Sequence, residues 1–162
     1  MADILEVVER LPEPIKVLND SAFEVAYTEL RLKNVDSSAM LLAILRLGNS
    51  NGSAQWLFST GITEKLVIDH IKRDFTRRKK SKGDKDAWGK RHQVMQPTVY
   101  TASAKKMLEI LSRVRHGKTA SIYVAITLEA VVLSDSHTVK DIFKSIGLSP
   151  SDVKHKLSIG SA

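Results

Sequence analysis

One helical pattern is written twice in this chain of 162 residues. In the first copy a helical segment around Ser21-Ala22-Phe23 runs to Lys33-Asn34, a second begins near Val35-Asp36-Ser37, and a short one closes on Thr60-Gly61. In the second copy a segment around Ser103-Ala104-Lys105 runs to Arg115-His116-Gly117, another passes through Tyr123-Val124, and a short one closes on Ile146-Gly147. The Ser-Ala pairs lie 82 residues apart and the closing glycines 86, so a small insertion separates the copies. Internal duplication of this size implies a tandem architecture. A helical repeat without a catalytic constellation is more readily a binding module than an enzyme.

The periodicity predicts helices throughout. Ile4, Leu5, Val8 and Leu11 form the stripe of a short lead-in helix. Pro12 and Pro14 interrupt it and suit the first turn of the next, which the apolar spacing carries from Ile15 to Lys33, with Asn34 as its left-handed end. Asp36, Ser37 and Ser38 offer N-caps to a helix over Ala39 to Leu47 that is apolar nearly all round, as a helix in the middle of a bundle should be. Ser53 is the expected cap of a helix over Ala54 to Ser59, Gly61 its C-cap, and Thr63-Glu64 the start of the next. Helix signals return at Thr101, with Met107, Leu108, Leu111 and Val114 inward. The stretch from Ile122 to Leu133 is again apolar nearly all round and rich in β-branched residues, so its period alone allows a strand; the repeat argues for helix. A short helix over Thr138 to Ser145 and a helix start at Ser149-Pro150-Ser151-Asp152 complete the pattern.

The length suits a single domain over residues 1–162 with a real core. With no cysteine there is neither a disulfide framework nor a thiolate metal site, compatible with a reducing compartment. The acidic, amphipathic start Met1-Ala2-Asp3-Ile4-Leu5-Glu6 is unlike a secretory signal, and no 18-residue apolar run exists. The expectation is a cytoplasmic or stromal protein. The net charge of +7 is localised: residues 72–91 hold ten Lys or Arg against three Asp, and the remainder is neutral.

With these residues in place, the chain resembles the amino-terminal repeat domain of the Clp/heat-shock AAA+ unfoldases. Tyr100-Thr101-Ala102-Ser103-Ala104-Lys105-Lys106-Met107-Leu108-Glu109 is similar to that family's Y-T-x-x-A-K-K-x-x-E. Tyr123-Val124 fits its Y-V, Ile142 to Ser149 its L-L-x-x-L-G-V-S, and Val35 to Leu45 its V-T-T-E-H-L-L-L-A-L-L. The resemblance covers roughly residues 12–158. It implies an all-α fold of two tandem four-helix repeats packed as a pseudo-twofold bundle, with an extra short amino-terminal helix. Repeat one would span about 12–76, a basic connector about 77–97, and repeat two about 98–158. It also implies a non-catalytic role: recruiting client or adaptor proteins to a Clp-type ATPase ring, in cis or in trans, with any ATPase activity outside this chain. A free-standing adaptor that mimics the unfoldase domain is a third reading. The family's T-E-H becomes Ser37-Ser38-Ala39 in the first copy and falls near Ile126-Thr127-Leu128 in the second, with Glu129 displaced. Where relatives bind phosphorylated arginine, that glutamate belongs to the pocket, so neither copy here keeps its carboxylate.

No catalytic residue, metal site or cofactor is expected. Gly117-Lys118-Thr119 mimics the end of a phosphate-binding loop, but the position five residues before Gly117 is Ser112 and not glycine. His70, His92, His116, His137 and His155 lack metal-ligand spacing. The sharp polar feature is the connector. Arg77, Arg78, Lys79, Lys80, Trp88, Lys90 and Arg91 are the candidate partner-binding residues, since clustered cations bind polyanions and Trp88 offers a stacking face. Two readings stay open for it: a solvated loop, or a patch for nucleic acid or an acidic protein partner. The nucleic-acid reading is the rival function.

Overall fold

Nine residues, Ser37–Leu45, form helix α3, and every one of them is buried. In the computed structural model, which describes residues 4–75, 100–149 and 151–152, the other elements are arranged around this helix. They are α1 (Ile4–Glu9), α2 (Glu13–Phe23) with a π-helical turn (Glu24–Glu29), a 3-10 turn (Gly48–Ser50), α4 (Gly52–Ser59), α5 (Glu64–Asp74), α6 (Ala102–Ser112), α7 (Ala120–Leu133) and α8 (His137–Ser145). Among the described residues the fold is all-helical, and one isolated parallel bridge joins Val35 to Tyr100. Helix α3 packs against α2, α4, α5, α6, α7 and α8, which is why its sequence has no polar face. Met40, Leu41, Leu42, Ile44 and Leu45 are fully buried, each contributing about 2 kcal/mol of transfer free energy.

Local chemistry sets most of the helix starts. The side chains of Asp36, Asn51, Thr63, Thr101 and Ser136 each accept a backbone N–H from the first turn of the helix that follows. Pro12 and Pro14 open α2 as expected. Ser149 and Asp152 exchange reciprocal side-chain to backbone bonds of 3.2 and 3.1 Å, a capping box at the predicted helix start. The stretch from Ile122 to Leu133, ambiguous by period, lies within helix α7.

Several boundaries differ from the sequence reading: the central helix spans Ser37–Leu45 rather than Ala39 to Leu47, and α6 ends at Ser112 rather than near Gly117. The second helix does not run to Lys33. It widens into the π-turn, where the Leu30 N–H bonds to the Val25 carbonyl and the Leu32 N–H to the Ala26 carbonyl, both at 2.8 Å. Arg31, not Asn34, then takes the left-handed conformation, with φ of 51°. Phe23 sits at this widening, stacked on Tyr27 at 5.4 Å and tilted against Tyr100 at 6.1 Å. The cap of α4 is Asn51 rather than Ser53, because Asn51 Oδ1 reaches both the Ser53 and Ala54 N–H groups.

Helices α4 and α8 end in the same way. The Ile62 N–H bonds to the Leu57 carbonyl and Gly61 to Phe58; the Leu148 N–H bonds to the Phe143 carbonyl and Gly147 to Lys144. Both glycines have positive φ, 100° and 79°, the left-handed residue of this helix end.

Candidate functional site

The seven residues singled out in the connector, Arg77, Arg78, Lys79, Lys80, Trp88, Lys90 and Arg91, lie outside the described residues. At its leading edge Arg73 is already paired, with Asp74 Oδ1 at 2.9 Å and Asp141 of α8 at 2.9 Å. Asp74 also accepts the Thr138 hydroxyl at 2.7 Å. Hydrogen bonding from Arg73, and then from Thr138, holds the Asp74 carboxyl below the usual carboxylate range. These contacts tie α5 to α8.

Of the positions aligned with the T-E-H motif, all but Ile126 are buried. Ser37 and Ser38 are 0% exposed. The Ser37 and Ser134 hydroxyls bond to each other at 2.8 Å, and Ser38 Oγ donates to Asp36. In the second copy Thr127 is buried and its hydroxyl returns to the Tyr123 carbonyl at 2.7 Å. These hydroxyls are engaged within the fold, so neither position presents a carboxylate to a ligand.

A polar convergence missed by the sequence reading lies beside them. Asp36, 6% exposed, accepts at Oδ2 from Ser38 N at 3.2 Å, Ser38 Oγ at 2.8 Å and Ser136 Oγ at 2.7 Å. Its Oδ1 accepts from Thr101 Oγ1 at 2.7 Å. Thr101 and Ser136 are themselves the caps of α6 and α8, accepting Ala104 N and Val139 N. Short polar residues before helical runs signal caps, but only the folded chain brings together partners 65 and 100 residues from Asp36.

A cavity of about 260 Å³ opens between the π-turn and the end of α3, lined by Ser21, Glu24, Val25, Glu29, Ala43, Arg46 and Leu47. Its rim is neutralised internally. Arg46 makes a bidentate pair with Glu29 at 2.8 and 2.7 Å, and its Nε donates to Glu64 Oε1 at 2.8 Å. The hydrogen bond from Arg46 holds the Glu29 carboxyl below the usual range, and the Glu29 bond raises the guanidinium above its own. One cation therefore joins the π-turn, the end of α3 and the start of α5.

The apolar surface is on α7. Tyr123, Val124, Thr127, Leu128, Ala130 and Val131 are buried, with helical spacing. The opposite face carries Ile122, Ala125, Ile126, Glu129, Val132 and Leu133, of which Ile122 and Leu133 are 45% and 37% exposed and the others half-buried. The helix is apolar on both faces; the inner one is buried, while on the outer one Ile126 and Val132 are half-buried against the core and Ile122 and Leu133 are exposed. Val17 of α2 and Leu47 are the other large apolar side chains left exposed among the described residues. Water usually faces polar residues on such a helix, and here it faces Ile122 and Leu133.

Among the described residues no group of three or more His, Cys, Asp or Glu gathers to hold a metal ion. Gly117 has φ of 91°, and the turn it forms is closed by Tyr123, whose hydroxyl accepts Lys118 N and donates to the Arg115 carbonyl. No single helix among the described residues is long and apolar enough to cross a membrane. The sequence matches no family model and no curated protein.

Proposed function

We propose that this chain is a non-catalytic protein-binding domain of the Clp amino-terminal type, recruiting client or adaptor polypeptides to a Clp-type AAA+ unfoldase. The observation that carries this reading is the outer face of α7, where Ile122 and Leu133 are exposed at its two ends and the half-buried Ile126, Glu129 and Val132 lie between them. Exposed apolar segments of unfolded chains are its natural complement.

The proposal includes a two-repeat, pseudo-twofold architecture, supported by paired features. Helices α2 and α3 pack together as do α6 and α7; α2 meets α7 while α3 meets α6; α4 meets α7 while α3 meets α8. The helix ends at Gly61 and Gly147 share their hydrogen bonds 86 residues apart. The Val35–Tyr100 bridge joins the segments that enter α3 and α6. In this reading the client is held by shape and apolar contact. The glutamate of the phosphoarginine pocket in the resembled family is not kept at Ser37, Ser38 or Thr127, which are buried here. The working compartment is the cytoplasm or an organelle stroma.

A pull-down tests the reading. Purified protein should retain unfolded clients or a Clp ATPase ring or adaptor. Retention of neither defeats it. The charge segregation favours a second reading, a nucleic-acid-binding regulator acting through residues 72–91. Binding of labelled oligonucleotides with a steep salt slope, abolished by charge reversal at Arg77, Arg78, Lys79 and Lys80, would support that rival. Absence of binding near physiological salt would remove it.

A further inference from the structure

Helix N-termini attract anions, because the free N–H groups and the aligned peptide dipoles both favour negative charge. In this fold the N-cap hydroxyls of α6 and α8, Thr101 and Ser136, meet the N-cap of α3 at the Asp36 carboxylate. Four hydrogen bonds reach it, one a backbone N–H and three from hydroxyls. Two of those hydroxyls act as relays. Thr101 Oγ1 accepts from Ala104 N at 3.1 Å and Ser136 Oγ from Val139 N at 3.3 Å, and each hydroxyl in turn donates a hydrogen bond to Asp36. No Lys, Arg or His pairs with Asp36 among the described residues, although the carboxylate is almost wholly buried. A buried charge without a counter-ion is expensive unless fixed dipoles replace its hydration. Here the helix ends and hydroxyls do so.

We infer that Asp36 is a resident anion. It fills a convergence that would otherwise take an external oxyanion, and by filling it clamps α6 and α8 to α3. Two consequences follow. The native protein accepts no phosphate or carboxylate ligand at this point. The caps of α6 and α8 depend on a residue that belongs to neither helix, so loosening one loosens the other.

Replacing Asp36 by glycine keeps an acceptable capping residue in the chain while removing the CH2–carboxylate, which acetate can replace. Thermal melts of the native protein and D36G are compared in sodium acetate and in sodium chloride at equal ionic strength. D36G should melt below the native protein and recover at least half of the difference in acetate, while the native protein responds equally to both salts. Equal melting of D36G and native protein, or equal acetate effects on both, overturns the inference. If D36G does not fold, T101V and S136A carry the test by amide hydrogen exchange. The T101V variant should speed exchange at Val139 N, and S136A at Ala104 N, by about tenfold, the loss expected for one hydrogen bond relayed through Asp36. Exchange that changes only in the helix that was mutated contradicts the clamp.

Discussion

Ile122 and Leu133 stand three turns apart on the same outer edge of α7, about 16 Å along its axis, and both remain open to water while Tyr123 and Val131 beside them are buried. The two faces of the helix therefore do different work with the same apolar chemistry. The inner face contributes to the core. The outer one carries the surface proposed for a partner.

Substitution should separate these roles. The double variant I122D/L133D is expected to change stability by no more than about 1 kcal/mol, since surface substitutions rarely exceed ~0.5 kcal/mol each. The same change at Val131 buries an unpaired carboxylate and should abolish folding. Circular-dichroism melts of the two variants check this. A collapse of I122D/L133D would mean that its outer face is part of the core.

Helix α3 is the load on which the fold rests. Leu42→Ala removes a fully buried side chain and should cost about 2–5 kcal/mol in denaturant unfolding. Leu133→Ala should cost less than about 1 kcal/mol by the same measurement. Similar costs at the two positions would contradict the packing order.

The cap of α4 offers a local test of the corrected boundary. Asn51→Ala leaves Ser53 N and Ala54 N without their acceptor and should destabilise by about 1 kcal/mol. Ser53→Ala should have little effect. The reverse order would restore the boundary expected from the sequence.

Acid should act through the carboxylates held by arginine. The folded-state values of Glu29 and Asp74 are both lowered, Glu29 by Arg46 and Asp74 chiefly by Arg73. Such groups contribute stability above the unfolded carboxylate value of about 4, and that contribution is lost as pH falls through the lower folded value. Stability should hold from pH 7 to about 5 and decline below about 4. Arg46→Ala should flatten the part of the decline due to Glu29, with an effect at pH 7 below about 1 kcal/mol because the pair is half-exposed. Urea titrations at fixed pH steps measure this. An unchanged acid limb in R46A would show that Arg46 does not hold Glu29.

What the sequence made legible was local or periodic. The capping roles of Asp36 and Thr63, the prolines opening α2, the glycine closing α4 and the Ser149–Asp152 start each depend on neighbours within a few residues. The π-turn at Glu24–Glu29 was not legible, because no side chain in that stretch forbids an ordinary helix; the aromatic contacts of Phe23 with Tyr27 and Tyr100 belong to the folded chain. Asp36 was readable as a cap but not as a hub, since Thr101 and Ser136 reach it across long separations. Helices α3 and α7 look alike in sequence, both apolar nearly all round. Only packing distinguishes the fully buried helix from the half-covered one, so the candidate face on α7 had no signal of its own. The connector residues favoured from charge lie outside the described residues, and the site proposed on α7 rests on other residues.

Binding of an unfolded polypeptide to α7 is measured most directly by fluorescence anisotropy. A permanently unfolded, labelled protein is titrated with the native domain and with I122D/L133D, the folding of the variant being verified in the same samples. The proposed function predicts saturable binding to the native domain and affinity at least about tenfold weaker for the variant, as expected on losing two apolar anchors. Equal affinity of the two would place the binding surface elsewhere, and absence of binding to the native domain would contradict the client-binding role itself.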